Sequence, residues 1–267
     1  RYKGATVLAA TGALRAGSDL VLSLGDREVE MALGSLLPEA ISLSIPEPNG
    51  SVSYGESLIQ EAQKWSSKAG CCLIGPGFDR SKEKSEALSL FWRYWKGPVL
   101  VDADGLYALS LLDRSVIKKR PDSVITPHEG EAARLLNIPV EAGRSSRLAA
   151  ARELGSMWGV CVLKGALSII DDGKSTAIVE EGHPCLSIPG SGDILSGIIS
   201  SFLAEGSKPF DAACIGTWIH ARSGSLLGSG CKYDGLIARE IADMVPEIIR
   251  ELRNGCTYER KEKYNNE

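Results

Sequence analysis

Ile188-Pro189-Gly190-Ser191-Gly192-Asp193-Ile194-Leu195-Ser196-Gly197-Ile198-Ile199 is the stretch that decides how this 267-residue chain is read. Two glycines flank a serine, an aspartate follows, and small apolar residues continue at helical spacing. The pattern predicts a loop that becomes a helix at Asp193. Glycine permits positive φ and lets a ligand approach bare amides. The first turn of a helix leaves N–H groups without intrahelical acceptors, and its dipole favours negative charge. Gly190, Ser191 and Gly192 are therefore candidate donors to an anion such as a phosphate in transfer. Asp193, at the mouth of that cradle, is a candidate acceptor of a substrate proton. A plainer reading makes Asp193 an N-terminal cap and the glycines a tight turn.

Outward from this stretch, short apolar runs alternate with helical patterns. Strands are predicted at Leu20–Leu24, Ala40–Ile45, Cys71–Ile74, Val99–Val101, Val124–Ile125 and Val160–Leu163. Ser168–Ile170 and Thr176–Val179 pair antiparallel around Asp171-Asp172-Gly173. Helices are predicted at Ala5–Ala16, Glu28–Leu37, Tyr54–Ala69, Lys82–Trp95 and Ser145–Trp158, and another ends at Leu136. Three more follow the glycine loop, at Asp193–Glu205, Pro209–Leu227 and Leu236–Arg253, and Pro46–Gly50 is a breaker cluster. This alternation predicts an α/β fold whose mainly parallel central sheet is covered by helices on both faces. Residues 1–257 read as one domain and 258–267 as a charged, frayed tail. Ligands of such sheets bind at the carboxyl ends of the strands. Here those ends carry Gly75–Gly77, Asp102–Gly105, Thr126–Glu131 and Lys164-Gly165, which predicts one shared cleft.

Composition narrows the function. A net charge of −4 argues against a broad nucleic-acid surface and for a small-molecule ligand in a local positive spot. No apolar run reaches the roughly 18 residues of a membrane span, and no secretory signal pattern is expected at the start. Seven cysteines (71, 72, 161, 185, 214, 231 and 256) form no Cys-x-x-Cys pair and sit mostly in apolar segments. That suits a reducing, cytoplasmic setting without a zinc site. A P-loop, a complete dinucleotide fingerprint and a Gly-x-Ser-x-Gly elbow are all absent from the sequence.

The polar strand ends leave alternatives open. Lys164 reaches a nucleotide phosphate or snorkels to solvent. His128, held extended after Thr126-Pro127, is a donor to substrate or the cap of the following helix. Glu129 and Glu131 are explained by the dipole of that helix. Asp102 and Asp104 hold Mg²⁺ through water, or cap the helix beginning near Leu106. His183 and His220 read as structural, or as support to other site residues.

Taken in order, these pieces resemble the ADP-dependent NAD(P)H-hydrate dehydratases of the ribokinase-like superfamily. The runs that carry the resemblance are Tyr2–Ala5, Ala13–Gly17, Ile74–Gly77, Val101–Leu106, Ile125–Glu131, Val162–Ala166, Gly190–Gly197, His220–Gly224 and Asp234–Ala238. The resemblance implies a ribokinase-like three-layer fold, here without its first strand. It implies a repair lyase that dehydrates the S epimer of hydrated NADH or NADPH, with ADP (or ATP) as co-substrate and Mg²⁺ on the phosphates. The ring hydroxyl is phosphorylated and phosphate then leaves. Asp193 is implied as the base, and the amides of Gly190, Ser191 and Gly192 as the anion hole. Ala5, Gly77, His128 and Asp193 are implied as substrate contacts. Lys164, Gly165, Ala166, Leu167, Ser168 and Gly192, with the loop from His183, are implied to bind the nucleotide. Members commonly form homotetramers, and some carry or partner an epimerase for the same damaged cofactor. Asp79 stands where the family usually has glycine, and a carboxylate there is expected to oppose a dinucleotide's phosphates. Two other readings use the same cradle: a kinase of the hydroxymethylpyrimidine or hydroxyethylthiazole type, and a non-catalytic nucleotide-binding regulator.

Overall fold

The computed structural model describes residues 3–46, 52–113, 119–229 and 235–264. Tyr2, Asp234, Cys231, most of the Pro46–Gly50 breaker and the last three tail residues lie outside them. Helix α1 (Lys3–Arg15) is followed by β1 (Leu22–Gly25), α2 (Arg27–Leu36) and β2 (Ile41–Ser44). Next come α3 (Tyr54–Trp65), β3 (Cys72–Ile74), α4 (Lys82–Tyr94), β4 (Val99–Val101), α5 (Asp104–Ser110) and β5 (Ser123–Ile125). α6 (Glu129–Leu136) and α7 (Arg144–Trp158) precede β6 (Val160–Leu163) and the hairpin of β7 (Ser168–Asp171) and β8 (Thr176–Val179). α8 (Ser191–Ala204), α9 (Pro209–Gly228) and α10 (Ala238–Tyr264) complete the order. The segment expected to fray from Tyr258 is helical as far as Tyr264, because its Glu and Lys residues are good helix formers that extend an established helix.

Strands β3 to β8 form one sheet in sequence order, with β3 through β6 parallel and β6, β7 and β8 antiparallel. β1 and β2 pair in parallel in a separate two-stranded sheet rather than extending the main one. The two sheets are joined by side chains. Lys84 on α4 reaches both Asp26 carboxylate oxygens, at 3.0 and 3.3 Å, and its ammonium lies 3.4 Å from the Tyr54 ring centroid.

The period-two alternation of the strands divides the main core into two layers. Val99, Val101, Ile125, Cys161, Leu163 and Ile169 belong to a cluster with Leu88, Phe91, Leu106, Leu135, Leu154 and Trp158 of α4 to α7. Leu100, Val124, Val160, Val162 and Ile170 belong to another, with Leu195, Ile199, Ala212 and Ala213 of α8 and α9. Cutting a fully buried leucine such as Leu100 back to alanine would cost about 2–5 kcal/mol. The small-residue character of α1 and α8 has a packing cause. A Cβ on Gly197 would overlap the Ala9 carbonyl, and one on Gly12 would lie 2.5 Å from the Ile194 carbonyl oxygen. The two backbones approach as closely as glycine allows, and this seats the start of α8 against α1. Among the described residues no helix is long and apolar enough to cross a membrane.

Candidate active site

The parallel register aligns Ile74, Val101, Ile125 and Cys161, so the loops after β3 to β6 leave the sheet along one edge. Backbone bonds continue the ladder past the strand ends: Asp102 donates to Ile74, Thr126 to Val101, and Lys164 to Pro127 over 2.8 Å. Thr126 is fully buried. The loop after β3 turns through Gly75 and Gly77 at φ of 130° and 73°. A Cβ on Gly75 would overlap the Asp102 carbonyl, so this glycine is what lets the first two loops touch. Thr6 Oγ1 of α1 donates to the Pro76 carbonyl at 3.1 Å, which ties the helix that carries Ala5 to the loop that carries Gly77.

Ionic contacts tie these loops into one network. Lys164 Nζ lies 2.9 Å from Asp102 Oδ1 and 3.9 Å from Glu131 Oε2. It does not snorkel to solvent; it is held inward by carboxylates. Burial works against the Lys164 ammonium, but Asp102 and Glu131, with Asp193 behind them, outweigh it and keep its pKa above the ordinary lysine value. Asp104 pairs with Arg80 at 2.7 Å and accepts from the Asp79 amide at 3.2 Å. Neither Asp102 nor Asp104 caps α5, contrary to one of the two expectations: the N-cap is Ala103, which has no side-chain cap bond. Ala103 itself sits at φ 48°, a strained backbone between two committed carboxylates. Asp79 adopts φ 71°, the left-handed region that favours glycine, which is the physical reason for glycine at that position. Its side chain is exposed.

His128 is a helix cap, as one reading of the sequence allowed. Its Nδ1 accepts from the amides of Gly130 and Glu131 at 3.0 and 3.3 Å, and Glu131 returns a bond to the His128 amide at 2.9 Å. This capping box leaves the neutral ring's proton on Nε2. The Nε2 edge lies 3.5 Å from Glu131 Oε1, and the side chain is 60% exposed, so a donor remains at the rim. Glu131 thus does more than complement a dipole: it caps the helix and faces Lys164.

Helix α8 begins at Ser191, two residues before the predicted start, and its N-cap is Gly190 at φ 88°. Asp193 is therefore the third residue of the first turn, not a cap. The Ser191 amide bends back to the Ile188 carbonyl at 3.3 Å, and the regular ladder starts when Ile194 donates to Gly190. Among the described residues no backbone acceptor stands opposite the amides of Gly192 and Asp193. A Cβ on Gly192 would lie 3.5 Å from Lys164 Nζ, which places the ammonium directly under the cradle. Burial lifts the Asp193 carboxyl to about 7; Asp102 and Asp104 push the same way and Lys164 pulls against them.

His220 of α9 supports this loop. Its Nε2 lies 3.0 Å from Ser191 Oγ and 3.1 Å from the Ser191 carbonyl. Burial brings its pKa down to about 4, so it works as a neutral hydrogen-bonding group. His183 caps the short 3-10 turn Pro184–Leu186 through a 3.2 Å bond from the Cys185 amide. Arg147 and Arg80, which no motif singled out, also line the network. Their partners lie 17 to 24 residues away in sequence, a separation at which no local pattern signals them.

The profile of the carbohydrate-kinase-like NAD(P)H-hydrate dehydratases matches residues 1–247. The chain is 36% identical over 249 residues to a bifunctional NAD(P)H-hydrate repair enzyme of Thermanaerovibrio acidaminovorans, covering 93% of this chain and 48% of that one. It is 32% identical over 259 residues to the ADP-dependent (S)-NAD(P)H-hydrate dehydratase of Neisseria meningitidis, covering 95% of this chain and 82% of that one. It thus spans about half the length of the bifunctional relatives. An ADP/ATP-dependent NAD(P)H-hydrate dehydratase of Bacillus subtilis, crystallised with ATP and Mg²⁺, shares the fold, with a TM-score of 0.74 at 23% identity over 94% of this chain and 85% of that one.

Proposed function

Because the chain belongs to the NAD(P)H-hydrate dehydratase family, we propose that it regenerates NADH or NADPH from the S epimer of the hydrated cofactor, with ADP (or ATP) as co-substrate. The observation that carries this reading is Asp193. It is a half-buried carboxylate with a pKa of about 7, no hydrogen-bond partner among the described residues, and open amides beside it. A general base is most effective when its pKa lies near the working pH.

Asp193 takes the proton of the ring hydroxyl as that oxygen bonds to the terminal phosphorus of ADP. The P–O bond to AMP breaks, and AMP departs with its electron pair. The amides at the start of α8, with Lys164 beneath them, face the charge that spreads over the phosphoryl oxygens. In the second step the ring C–O bond breaks and phosphate keeps the electron pair. The adjacent ring carbon gives its proton to water, and the electron pair of that C–H bond restores the double bond. Phosphate leaves where hydroxide would not. Lys164 to Ser168 and the loop from His183 to Gly192 bind the nucleotide, and Ala5, Gly77 and the Nε2–H of His128 hold the hydrated dinucleotide.

Mg²⁺ would accompany the phosphates. Among the described residues no group of three or more His, Cys, Asp or Glu is arranged to hold an ion. Asp102 and Asp104 are already paired with Lys164 and Arg80. This donor set suits an ion carried on phosphate and water.

The test is incubation of the purified chain with hydrated NADH, Mg²⁺ and ADP, following the return of dihydronicotinamide absorbance and the appearance of AMP. Both are expected. A folded, nucleotide-binding chain that restores no NADH would overturn the reading, and ATP-dependent phosphorylation of a hydroxymethylpyrimidine or hydroxyethylthiazole instead would replace it with a kinase.

A further inference from the structure

We propose that Arg147 is a positioning residue for the nucleotide-binding loop, and that residue 165 is glycine in order to admit its guanidinium. The proposal rests on the reading of Lys164–Ser168 as the nucleotide segment.

Arg147 stands on α7, 6% exposed, with its head turned toward the loop after β6. Nη2 donates to the Leu167 carbonyl at 2.8 Å and to the Lys164 carbonyl at 3.4 Å. One charged fork thus spans the loop from its first residue to its fourth. Nε lies 3.0 Å from Glu129 Oε1, an ion-pair distance, although its N–H does not point at that oxygen. Glu129 opens α6, directly after His128. A single side chain therefore joins the loop assigned to nucleotide with the helix assigned to the hydrated dinucleotide.

Gly165 fits this role. It is not among the positive-φ glycines, so its backbone would accept alanine. What it cannot accept is the contact: a Cβ there would overlap Arg147 Nη2 and lie 2.9 Å from Cζ. A flexible arginine would normally swing clear. This one is buried and anchored at three points, so moving it breaks the bonds that hold the loop. Beyond Lys164, which is tied to Pro127 and Asp102, the loop is open to solvent at Gly165 and Ala166. A cavity of about 220 Å³, lined by Arg144, Arg147, Ala166, Leu167, Ile169 and Ile178, lies beside it. A segment that borders a void and is held through its carbonyls shifts when its strut is lost.

The experiment measures ADP binding directly and by steady-state kinetics in the wild type, Arg147→Ala, Gly165→Ala and the double variant. Each single substitution should weaken ADP binding about tenfold or more, the effect of losing charge-assisted hydrogen bonds. KM for ADP should rise with it, and by a larger factor than either the fall in kcat at saturating ADP or the change in KM for hydrated NADH. The double variant should bind no worse than Arg147→Ala alone, because the overlap has gone with the guanidinium. If Arg147→Ala fails to fold, Arg147→Met, which keeps the apolar stem, takes its place in the same cycle. Unchanged ADP affinity with only a lower Tm would overturn the proposal, as would strict additivity in the double variant. If the wild type turned over and bound ADP normally while Arg147→Ala matched it, this proposal alone would fall. If the wild type bound no ADP, the functional reading would fall with it.

Discussion

Two helices open onto the same cleft and begin in opposite ways. α6 closes itself: His128 Nδ1 takes two of its amides and Glu131 takes the His128 amide in return. α8 has no side-chain cap, only Gly190 in the left-handed region, and its next amides stay open. A capped start spends its donors on the protein; an uncapped one keeps them for a ligand. A glycine in place of a capping side chain costs only about a few tenths of a kcal/mol, and the half-buried Asp193 carboxylate adds to that cost. Sites where a chain gives up local stability in this way are where function is expected.

The largest effect follows from removing what α8 holds open. Asp193→Asn should lower kcat by about 10²–10⁴-fold, the usual contribution of a general base, measured by the return of NADH absorbance. In the wild type the acid limb of the rate profile should lie near pH 7, because the carboxyl must be ionised to accept a proton. Stability should move the other way. The folded pKa of about 7 lies above the ordinary 3.8, so the folded chain binds more protons between those values. The protonated carboxyl's contribution is present at low pH and is lost as pH rises through 7. Asp193→Asn should therefore melt higher than the parent above pH 7, a gain that would identify Asp193 as a residue kept at the expense of stability.

Gly190→Ala should come next. It forces alanine to φ 88° and pushes a methyl into Leu8 Cδ1. An activity loss of about 10²-fold is expected if the first turn is the anion site, with about 1–2 kcal/mol of stability lost to the left-handed backbone. A stability loss without an activity loss would make the turn merely structural. Asp102→Asn should do less to kcat and more to its pH dependence. It removes a negative neighbour and frees Lys164 toward Asp193, so the acid limb should move to lower pH. A limb that stays in place would mean that Asp102 does not act on Asp193.

The contrast between the two helices was only half visible beforehand. Alternating apolar runs and glycine-rich strand ends marked the sheet and its ligand edge, because periodicity and breakers are local signals. The sequence pattern puts the start of α8 two residues late, since Ser191 and Gly192 are weak helix formers and what extends the helix over them is tertiary: His220 on Ser191, and α1 against Gly190. The roles of Asp102 and Asp104 depended on Lys164 and Arg80, 62 and 24 residues away. Helix capping could not be told from ion pairing without those partners. The glycine expected at position 79 was recognisable by comparison, but its reason, a left-handed turn, became visible only in the backbone. Ser191 and His220, 29 residues apart, meet only because α8 and α9 pack together.

The smallest expected effect separates the two things His128 does. As a cap it uses Nδ1; as a substrate contact it would use the Nε2–H left by that tautomer. Asparagine caps a helix about as well as any residue but has no group where Nε2 stands. His128→Asn should therefore leave Tm within a degree or two of the parent, since exchanging one good cap for another costs only a few tenths of a kcal/mol. KM for hydrated NADH should still rise severalfold at nearly unchanged kcat, the pattern of a lost uniform binding contact. His128→Ala, which removes both functions, should add about 1 kcal/mol of destabilisation to the same KM change. If His128→Asn keeps the parent KM, the residue is a cap alone. α6 would then be a helix that serves the site by holding Glu131 against Lys164 and Glu129 against Arg147, and substrate recognition at this edge would pass to α1, α8 and the loop after β3.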